Sequence, residues 1–353
     1  MNQEFLRGLA LWLGILEGLA SWSGLEGLSW GKGWQGFLLA LAALRCGRPK
    51  PLPLLAAMPL ALGAQVALAT VRRAGLNPKL RLRPGTYADR TIQRLDILGA
   101  HGPVPALHIV PNGGARAAVC VAHGSGCDKT FYAWRLVDHL VAQGLAVLLV
   151  DLDGHGESPR PQAFPTIIES VAAPARWLQT HYARVALLGT SLGGSVVARA
   201  AAEGAPCDAL VIWGAPPHLR LTPTEYRRTQ ITEALRILRP PLLHLFRDGS
   251  LYHVVRAWQT SGIRAQLGTW DLFAALDLLG SLAALRAHPT RPPLLLVYAG
   301  RDAVLRPGAA ATVRQASTAW ATFHLVRRAS HVSLAIEPET IRVTTQWLGV
   351  HLT

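Results

Sequence analysis

One serine in this chain stands among glycines, in the segment GTSLGG at residues 189–194. Residues 189–193 read Gly-Thr-Ser-Leu-Gly and follow the apolar run RVALL. A serine hydroxyl projects above a sheet when it sits on a sharp turn between a strand and a helix, and side chains two positions to either side would clash in that turn. Glycine removes those side chains. The pattern therefore predicts nucleophilic chemistry at Ser191.

A serine at neutral pH needs a general base, most often histidine, which a carboxylate orients. Asp302 follows the apolar run PLLLVYAG, and His331 follows the run TFHLVR. Both residues stand just beyond a predicted strand, at the edge of a parallel sheet where sites open. The chain order Ser191, Asp302, His331 matches one group of parallel-sheet hydrolases. We therefore expect a nucleophile, acid and base at these three positions.

Acyl transfer also needs two backbone N–H groups that bind the developing oxyanion. We expect one from Leu192, next after the serine, where a helix begins and its N–H groups are free. The second is expected from the loop HGSGCD at residues 123–128, with Ser125 as the first choice and Gly126 as the second. Glycines in this loop let its backbone approach a ligand closely.

The elements that must position these residues alternate from about residue 87 onward. Short apolar runs alternate with helical patterns, which indicates a mostly parallel sheet with helices on both faces. The predicted strands lie at residues 90–98, 104–110, 116–122, 145–151, 184–189, 209–215, 293–300 and 322–327. The predicted helices lie near residues 130–143, 165–182, 192–203 and 339–351. The fold class is therefore predicted to be α/β.

Residues 88–352 resemble the α/β-hydrolase superfamily in five segments: VAHGSG, DLDGHGES, GTSLGG, YAGRDAVL and ASHVSL. The resemblance implies an α/β-hydrolase fold and a serine esterase-like enzyme, with Ser191 as nucleophile, His331 as base and Asp302 as its orienting acid. It implies no metal and no organic cofactor. His155 in DLDGHGES is expected to be structural, because its place in the chain order does not fit the base.

An insert at about residues 216–290 separates two predicted strands where a bare core needs only one helix. In this superfamily an insert at that point usually forms a helical cap over the active site. Aromatic residues of the insert either line an apolar pocket or pack the cap onto the core: Phe246, Tyr252, Trp258, Trp270 and Phe273. The hydrolase domain with its cap is predicted to span residues 86–352.

Residues 1–85 form a different, apolar and helical segment, in which residues 1–83 hold only three acidic side chains. Residues 51–71 carry no charge over a length that can cross a bilayer, about 20 residues. A transmembrane or membrane-embedded role is predicted, and the alternatives are a buried core helix or a mobile Ala-rich arm that lies on the catalytic domain. Prolines at positions 51, 53 and 59 work against a regular helix. More basic residues follow this segment than precede it, which favours a cytoplasmic catalytic domain.

The composition favours a membrane surface over a nucleic acid as the binding partner. The 353 residues carry a net charge of +14, and half of them are hydrophobic. No run of Lys and Arg interleaved with aromatic residues is present, so no nucleic-acid partner is expected. The four cysteines show neither C-x-x-C spacing nor a Cys/His cluster, and no metal site is expected.

Three functions are compatible with these residues. The leading hypothesis is a serine hydrolase at the cell membrane, which cleaves a carboxylic ester or thioester of a small-molecule or lipid-like substrate through an acyl-enzyme on Ser191. An acyltransferase would use the same triad and a different acceptor. A non-catalytic binding protein on the same fold is the third. Replacement of Ser191 separates the first two from the third.

Overall fold

The computed structural model describes residues 3–22, 29–30, 33–47, 50–75, 82–130, 133–237 and 263–352. These residues fall into two compact units. The first holds the helices between residues 3 and 75, and the second holds residues 82–237 and 263–352.

Three helices form the described part of the first unit: α1 (Gln3–Trp22), α2 (Gly33–Arg45) and α3 (Pro51–Gly75). The α1 backbone lies close to α2, because a Cβ added at Gly14 would lie 2.6 Å from the carbonyl oxygen of Gly36. The prolines do not prevent α3 from forming. Pro51 and Pro53 lie in its first turn, where the backbone N–H has no intrahelical acceptor, and the helix continues through Pro59.

Two helices of this unit, Gln3–Trp22 and the Pro51–Ala69 part of α3, are long and apolar enough to cross a membrane. Only 28% of the apolar stretch in the first helix and 22% of that in the second is buried within the protein. Several large apolar side chains of these helices are therefore exposed in the described part of the chain. Leu55 is 64% exposed and Leu52 is 79% exposed.

The second unit is built on a sheet with nine strands among the described residues. The strands are β1 (Gly85–Thr86), β2 (Arg90–Gly99), β3 (Gly102–Pro111), β4 (Ala117–Ala122), β5 (Ala146–Val150), β6 (Arg184–Thr190), β7 (Ala209–Trp213), β8 (Leu294–Ala299) and β9 (Ala321–Val326). Their order is β1-β2-β3-β5-β4-β6-β7-β8-β9. The pairs among β1, β2, β3 and β5 are antiparallel, and every later pair is parallel. The predicted fold class is confirmed, with β1 as an addition.

Helices cover both faces of this sheet: α4 (Ala133–Ala142), α5 (Glu169–Gln179), α6 (Leu192–Ala202), α8 (Thr269–Leu276), α9 (Leu278–Ala287), α10 (Ala309–Ser317) and α11 (Pro338–Leu352). Helix α7 (Pro223–Ile237) lies between α6 and α8 in the chain. The side chains of the central strands alternate between two apolar cores. Leu148 and Leu187 face the core under α5, α6, α8, α9 and α10. Leu149 and Leu188 face the core under α4 and α11. Burial on both faces explains why these strands are continuously apolar.

The expected cap insert divides into two kinds of structure. Helices α8 and α9 pack against α6, so residues 269–287 belong to the layer that covers the sheet. Phe273 is only 3% exposed and lies in that core. Helix α7 begins the insert, and residues 238–262, with the predicted pocket residues Phe246, Tyr252 and Trp258, lie outside the described residues.

Candidate active site

Ser191 lies between the end of β6 and the start of α6, in a backbone conformation that a non-glycine residue rarely adopts. Its φ is 51° and its ψ is −112°. Its backbone N–H donates to the carbonyl oxygen of Trp213 on β7 at 2.7 Å. Strained backbone of this kind persists only where the surroundings hold it, and it concentrates at functional sites. The turn exposes the hydroxyl at the carboxyl ends of the parallel strands.

The glycines around Ser191 allow close backbone contact. A Cβ at Gly189 would lie 2.2 Å from the carbonyl oxygen of Gly193. A Cβ at Gly193 would lie 2.4 Å from the carbonyl oxygen of Ala122 and 2.5 Å from that of His123. All three distances are far below van der Waals contact. The G-x-S-x-G pattern is therefore a steric requirement of this turn.

Replacing Gly193 by alanine tests that requirement. The new methyl group must displace the backbone at residues 122–123, and overpacking of this kind costs about 1–3 kcal/mol. We expect a lower unfolding midpoint in a thermal melt. The matched control is Gly113→Ala, because a Cβ there meets no atom within 4 Å. Equal midpoints for the two variants would contradict the steric explanation.

The structure brings the three predicted triad residues together. The Oγ atom of Ser191 lies 3.1 Å from Nε2 of His331. Nδ1 of the same ring lies 2.7 Å from Oδ2 of Asp302. The other carboxylate oxygen of Asp302 accepts the backbone N–H groups of Val304 at 2.9 Å and Leu305 at 2.8 Å. Those two bonds orient the carboxylate, so that Oδ2 faces the imidazole.

The electrostatics of the pair favour a charged histidine beside a charged carboxylate. Burial lowers the pKa of His331, but the Asp302 charge, its hydrogen bond and the Glu233 charge raise it, and the net pKa lies above the ordinary 6.5. Burial raises the pKa of Asp302, but the charge of His331 and three hydrogen bonds lower it, and the net pKa lies below 3.8. Above the pKa of His331 its ring is neutral, and with Nδ1 donating to Asp302, Nε2 is free to accept the Ser191 proton.

The loop after β4 lies directly against the predicted nucleophile. A Cβ at Gly124 would lie 3.6 Å from the Cβ atom of Ser191. Ser125 and Gly126 follow in a turn that the Cys127 N–H closes on the carbonyl of Gly124 at 3.2 Å, and Gly126 has a φ of +75°. On the other side, Leu192 is the first residue of α6. Its N–H belongs to a first turn that has no intrahelical acceptor.

A buried ion pair anchors this loop. Asp151 is fully buried and accepts the backbone N–H groups of Lys129 and Glu157, each at 2.8 Å. The Lys129 ammonium lies 2.5 Å from Asp151 and 2.8 Å from Glu157. The network ties the loop at residues 123–130 to the loop after β5. The sequence pattern predicted no role for Lys129 or Asp151, although Lys129 directly follows HGSGCD and Asp151 is the first residue of DLDGHGES.

His123 and His155 are buried rings in these loops. Nδ1 of His123 donates to the carbonyl oxygen of Gly124 at 2.8 Å, and its Nε2 accepts the N–H of Leu152 at 3.1 Å. Burial lowers the pKa of His123, and burial lowers the pKa of His155 to about 3. Both rings are therefore neutral at physiological pH. His155 contacts the carbonyl of Asp153 through Nδ1 at 2.9 Å, as a supporting residue would.

A cleft of about 340 Å³ opens beside α8. One tryptophan, two arginines and four other residues line it: His218, Leu219, Arg220, Trp270, Asp271, Ala274 and Arg306. Arg306 donates to the carbonyl oxygen of Arg220 at 3.2 Å, which fixes one side of the cleft. Of the aromatic residues considered for a pocket, Trp270 lines this cleft and Phe273 does not.

The sheet order and the serine turn define the protein as an α/β-hydrolase in fold. The family model described as Serine aminopeptidase, S33, matches residues 113–339, and the chain belongs to that family.

Solved esterases share the fold. An esterase from Pyrococcus furiosus superposes with a TM-score of 0.52 at 16% identity, covering 77% of this chain and 96% of that one. An esterase from Pyrobaculum calidifontis superposes with a TM-score of 0.53 at 19% identity, covering 79% and 89%. Identities this low establish a common fold and nothing further.

Curated relatives include uncharacterized proteins from Mycobacterium bovis and Mycobacterium tuberculosis. Each is 30% identical over 183 residues, which is 49% of this chain and 49% of the relative. The chain thus spans about half the length of the curated relatives that it matches.

Proposed function

We propose that this protein is a serine hydrolase that cleaves a carboxylic ester or thioester through an acyl-enzyme on Ser191. The observation that carries the proposal is the continuous hydrogen-bonded relay: Ser191 to His331 at 3.1 Å, and His331 to Asp302 at 2.7 Å. Membership of a serine hydrolytic family and the fold shared with esterases support it.

The reaction follows from the relay. His331 takes the proton of Ser191 through Nε2 while Oγ attacks the carbonyl carbon, and Asp302 stabilises the imidazolium that forms. The N–H groups of Leu192 and Ser125, with Gly126 as the second choice in the loop, bind the oxyanion. The tetrahedral intermediate collapses, and His331 returns its proton to the departing alcohol or thiol. Water, activated by the same ring, then releases the acid.

Parallel assays of an ester and an amide test the substrate class. We expect saturable hydrolysis of p-nitrophenyl butyrate with an initial burst of p-nitrophenol, the sign of an acyl-enzyme. Alanine p-nitroanilide serves as the matched aminopeptidase substrate. Faster turnover of the anilide would contradict the ester proposal, and so would a folded protein that hydrolyses neither compound.

We propose further that residues 1–83 hold the enzyme at the cell membrane, with the hydrolase domain on the cytoplasmic side and a small-molecule ester or lipid-like substrate. The support is the distribution of side chains in the three helices, which is the reverse of that in a water-soluble helical unit. Large apolar side chains point outward, and Trp22 is 89% exposed and Phe37 62% exposed. Small residues, such as Gly14 against Gly36, lie where the helices meet, which is typical of packing in lipid.

Polar side chains of the same unit point inward. Glu17 is fully buried, and Gln65 is 4% exposed. The Glu17 carboxylate accepts from the Ser29 hydroxyl at 2.6 Å, from the Trp30 N–H at 2.8 Å and from the Gln65 amide at 3.1 Å. Trp30 also donates through its indole to Gln65 at 2.7 Å. A bilayer favours helices with apolar side chains on the outside and hydrogen-bonded polar groups on the inside.

Membrane fractionation checks the anchor. We expect the full chain to stay with membranes after a high-salt wash and an alkaline carbonate wash, and to leave them in detergent. Leu60→Lys places a charge at the middle of the apolar stretch Pro51–Ala69 of α3, where a lysine costs about 2.5–3.5 kcal/mol, and should raise the carbonate-extracted fraction. Leu98→Lys, at a residue 82% exposed on β2, is the control and should not. Recovery of the parent in the salt wash would contradict the anchor.

A further inference from the structure

A second acidic residue bridges the two loops that carry the predicted acid and base. Glu233, on α7, is 2% exposed. Its Oε1 atom accepts the backbone N–H of Ala303 at 2.8 Å, and its Oε2 atom accepts the backbone N–H of Val332 at 3.2 Å. Ala303 directly follows Asp302, and Val332 directly follows His331. One carboxylate therefore contacts the residue after each of these two triad members.

We propose that Glu233 is a positioning residue: it holds the Asp302 loop and the His331 loop at the separation that lets the imidazole reach both Asp302 and Ser191. The proposal rests on the function proposed above and adds a residue from the insert to its machinery.

The need for such a bridge follows from the topology. Asp302 and His331 are 29 residues apart and follow different strands, β8 and β9. Each loop has its own internal bonds, such as Val304 N–H to Asp302 at 2.9 Å and Ser330 N–H to the Ser333 hydroxyl at 2.9 Å. These bonds shape each loop separately and do not set the distance between the two.

Besides the Asp302–His331 bond itself, two links among the described residues join the loops. Next to the strands, the Arg301 N–H donates to the carbonyl oxygen of Ala329 at 2.9 Å. Next to α7, Glu233 contacts both loops at once. Because Glu233 belongs to the insert, a shift of α7 would move both loops together, and the insert would then be coupled to the alignment of the triad.

The charge of Glu233 also acts on the histidine. Within the described ranges, four elements bring groups to the His331 ring: Asp302 after β8, Glu233 on α7, the Ser191 hydroxyl after β6 and the backbone of Gly214 after β7. Asp302 and Glu233 both raise the pKa of His331 against the effect of burial. Removing the Glu233 charge should therefore lower that pKa, whereas a purely structural residue would leave it unchanged.

The test compares the full-length parent with Glu233→Gln and Glu233→Asp, using p-nitrophenyl butyrate. In Glu233→Gln one acceptor oxygen becomes an NH₂ group, so one loop loses its bond. We expect kcat to fall about 10- to 100-fold with KM little changed, since small misplacements of reacting groups have effects of that size. We also expect the acid limb of the kcat/KM profile to move to lower pH, and Glu233→Asp, which keeps the charge, to recover part of kcat.

The control is Glu225→Gln at the start of the same helix. Glu225 forms a capping box with Thr222, and glutamine can fill that role, so the parent's kinetics should persist. Parental kcat and an unshifted acid limb in Glu233→Gln would overturn the proposal. If that variant does not fold, parental kcat in Glu233→Asp, whose shorter side chain cannot span both loops, would do the same. A folded parent without esterase activity would instead overturn the proposed function.

Discussion

Ser191→Ala is expected to lower kcat for p-nitrophenyl butyrate by about 10⁴- to 10⁶-fold, the loss seen when a hydrolase of this type loses its nucleophile. Without Oγ, His331 has no hydroxyl to deprotonate, although its Asp302 contact at 2.7 Å remains. The proposed oxyanion donors remain as well, so a residual rate above that in water should persist. The measurement is single-turnover and steady-state hydrolysis at equal protein concentration.

A second serine, on the helix α6 that follows Ser191, supplies the matched control. Ser195 is 1% exposed, four residues further along, and its hydroxyl has no hydrogen-bond partner among the described residues. Ser195→Ala should therefore keep parental kcat. Loss of activity in both serine variants would point to damage of α6, and parental activity in Ser191→Ala would contradict the assigned nucleophile.

Asp302→Asn is expected to lower kcat by about 10⁴-fold. An asparagine amide donates where the carboxylate accepts, so the His331 ring would adopt the tautomer with its proton on Nε2. Nε2 would then have no lone pair to accept the Ser191 proton. The pH dependence should change in the same variant. In the parent the pKa of His331 is raised above 6.5, so activity is present above that pKa and is lost as the pH falls through it. Without the Asp302 charge, this limb should move to lower pH.

The matched control for this substitution is Asp208→Asn at the opposite end of the sheet. Asp208 pairs with Arg184 at 3.1 Å and accepts the Val185 N–H at 2.8 Å, both far from the serine turn in the fold. Parental kcat and pH profile are expected for it. An unshifted acid limb in Asp302→Asn, measured as kcat/KM from pH 5 to 9, would sink the acid–base assignment.

The central fold was predictable because its strands are buried on both faces. Runs such as AVLLV in β5 have no polar position, and glycine and proline mark their ends. The serine turn was predictable for a related reason, since the glycines at 189 and 193 answer a local steric demand. Asp302 and His331 followed from their places after β8 and β9. In each of these cases the signal lies within a few residues of the feature.

The supporting residues were not predictable from local pattern. Glu233 stands in a helix rich in polar residues, TEYRRTQITEALR, where a glutamate is typically solvent-exposed. Its partners, Ala303 and Val332, are 70 and 99 residues away and use backbone N–H groups, which carry no sequence signature. Lys129 and Asp151 are 22 residues apart and meet only because β4 and β5 are adjacent. Such contacts depend on the tertiary fold.

The most direct measurement is labelling of the detergent-solubilised full chain with a fluorophosphonate, followed by mass spectrometry of its peptides. The reagent reacts only with a serine that a base activates. We predict one adduct, on the peptide that contains Ser191, with no adduct in Ser191→Ala and strongly slowed labelling in His331→Ala. A folded parent that stays unlabelled, or an adduct on a different serine, would contradict the assignment of Ser191, His331 and Asp302 as a catalytic triad.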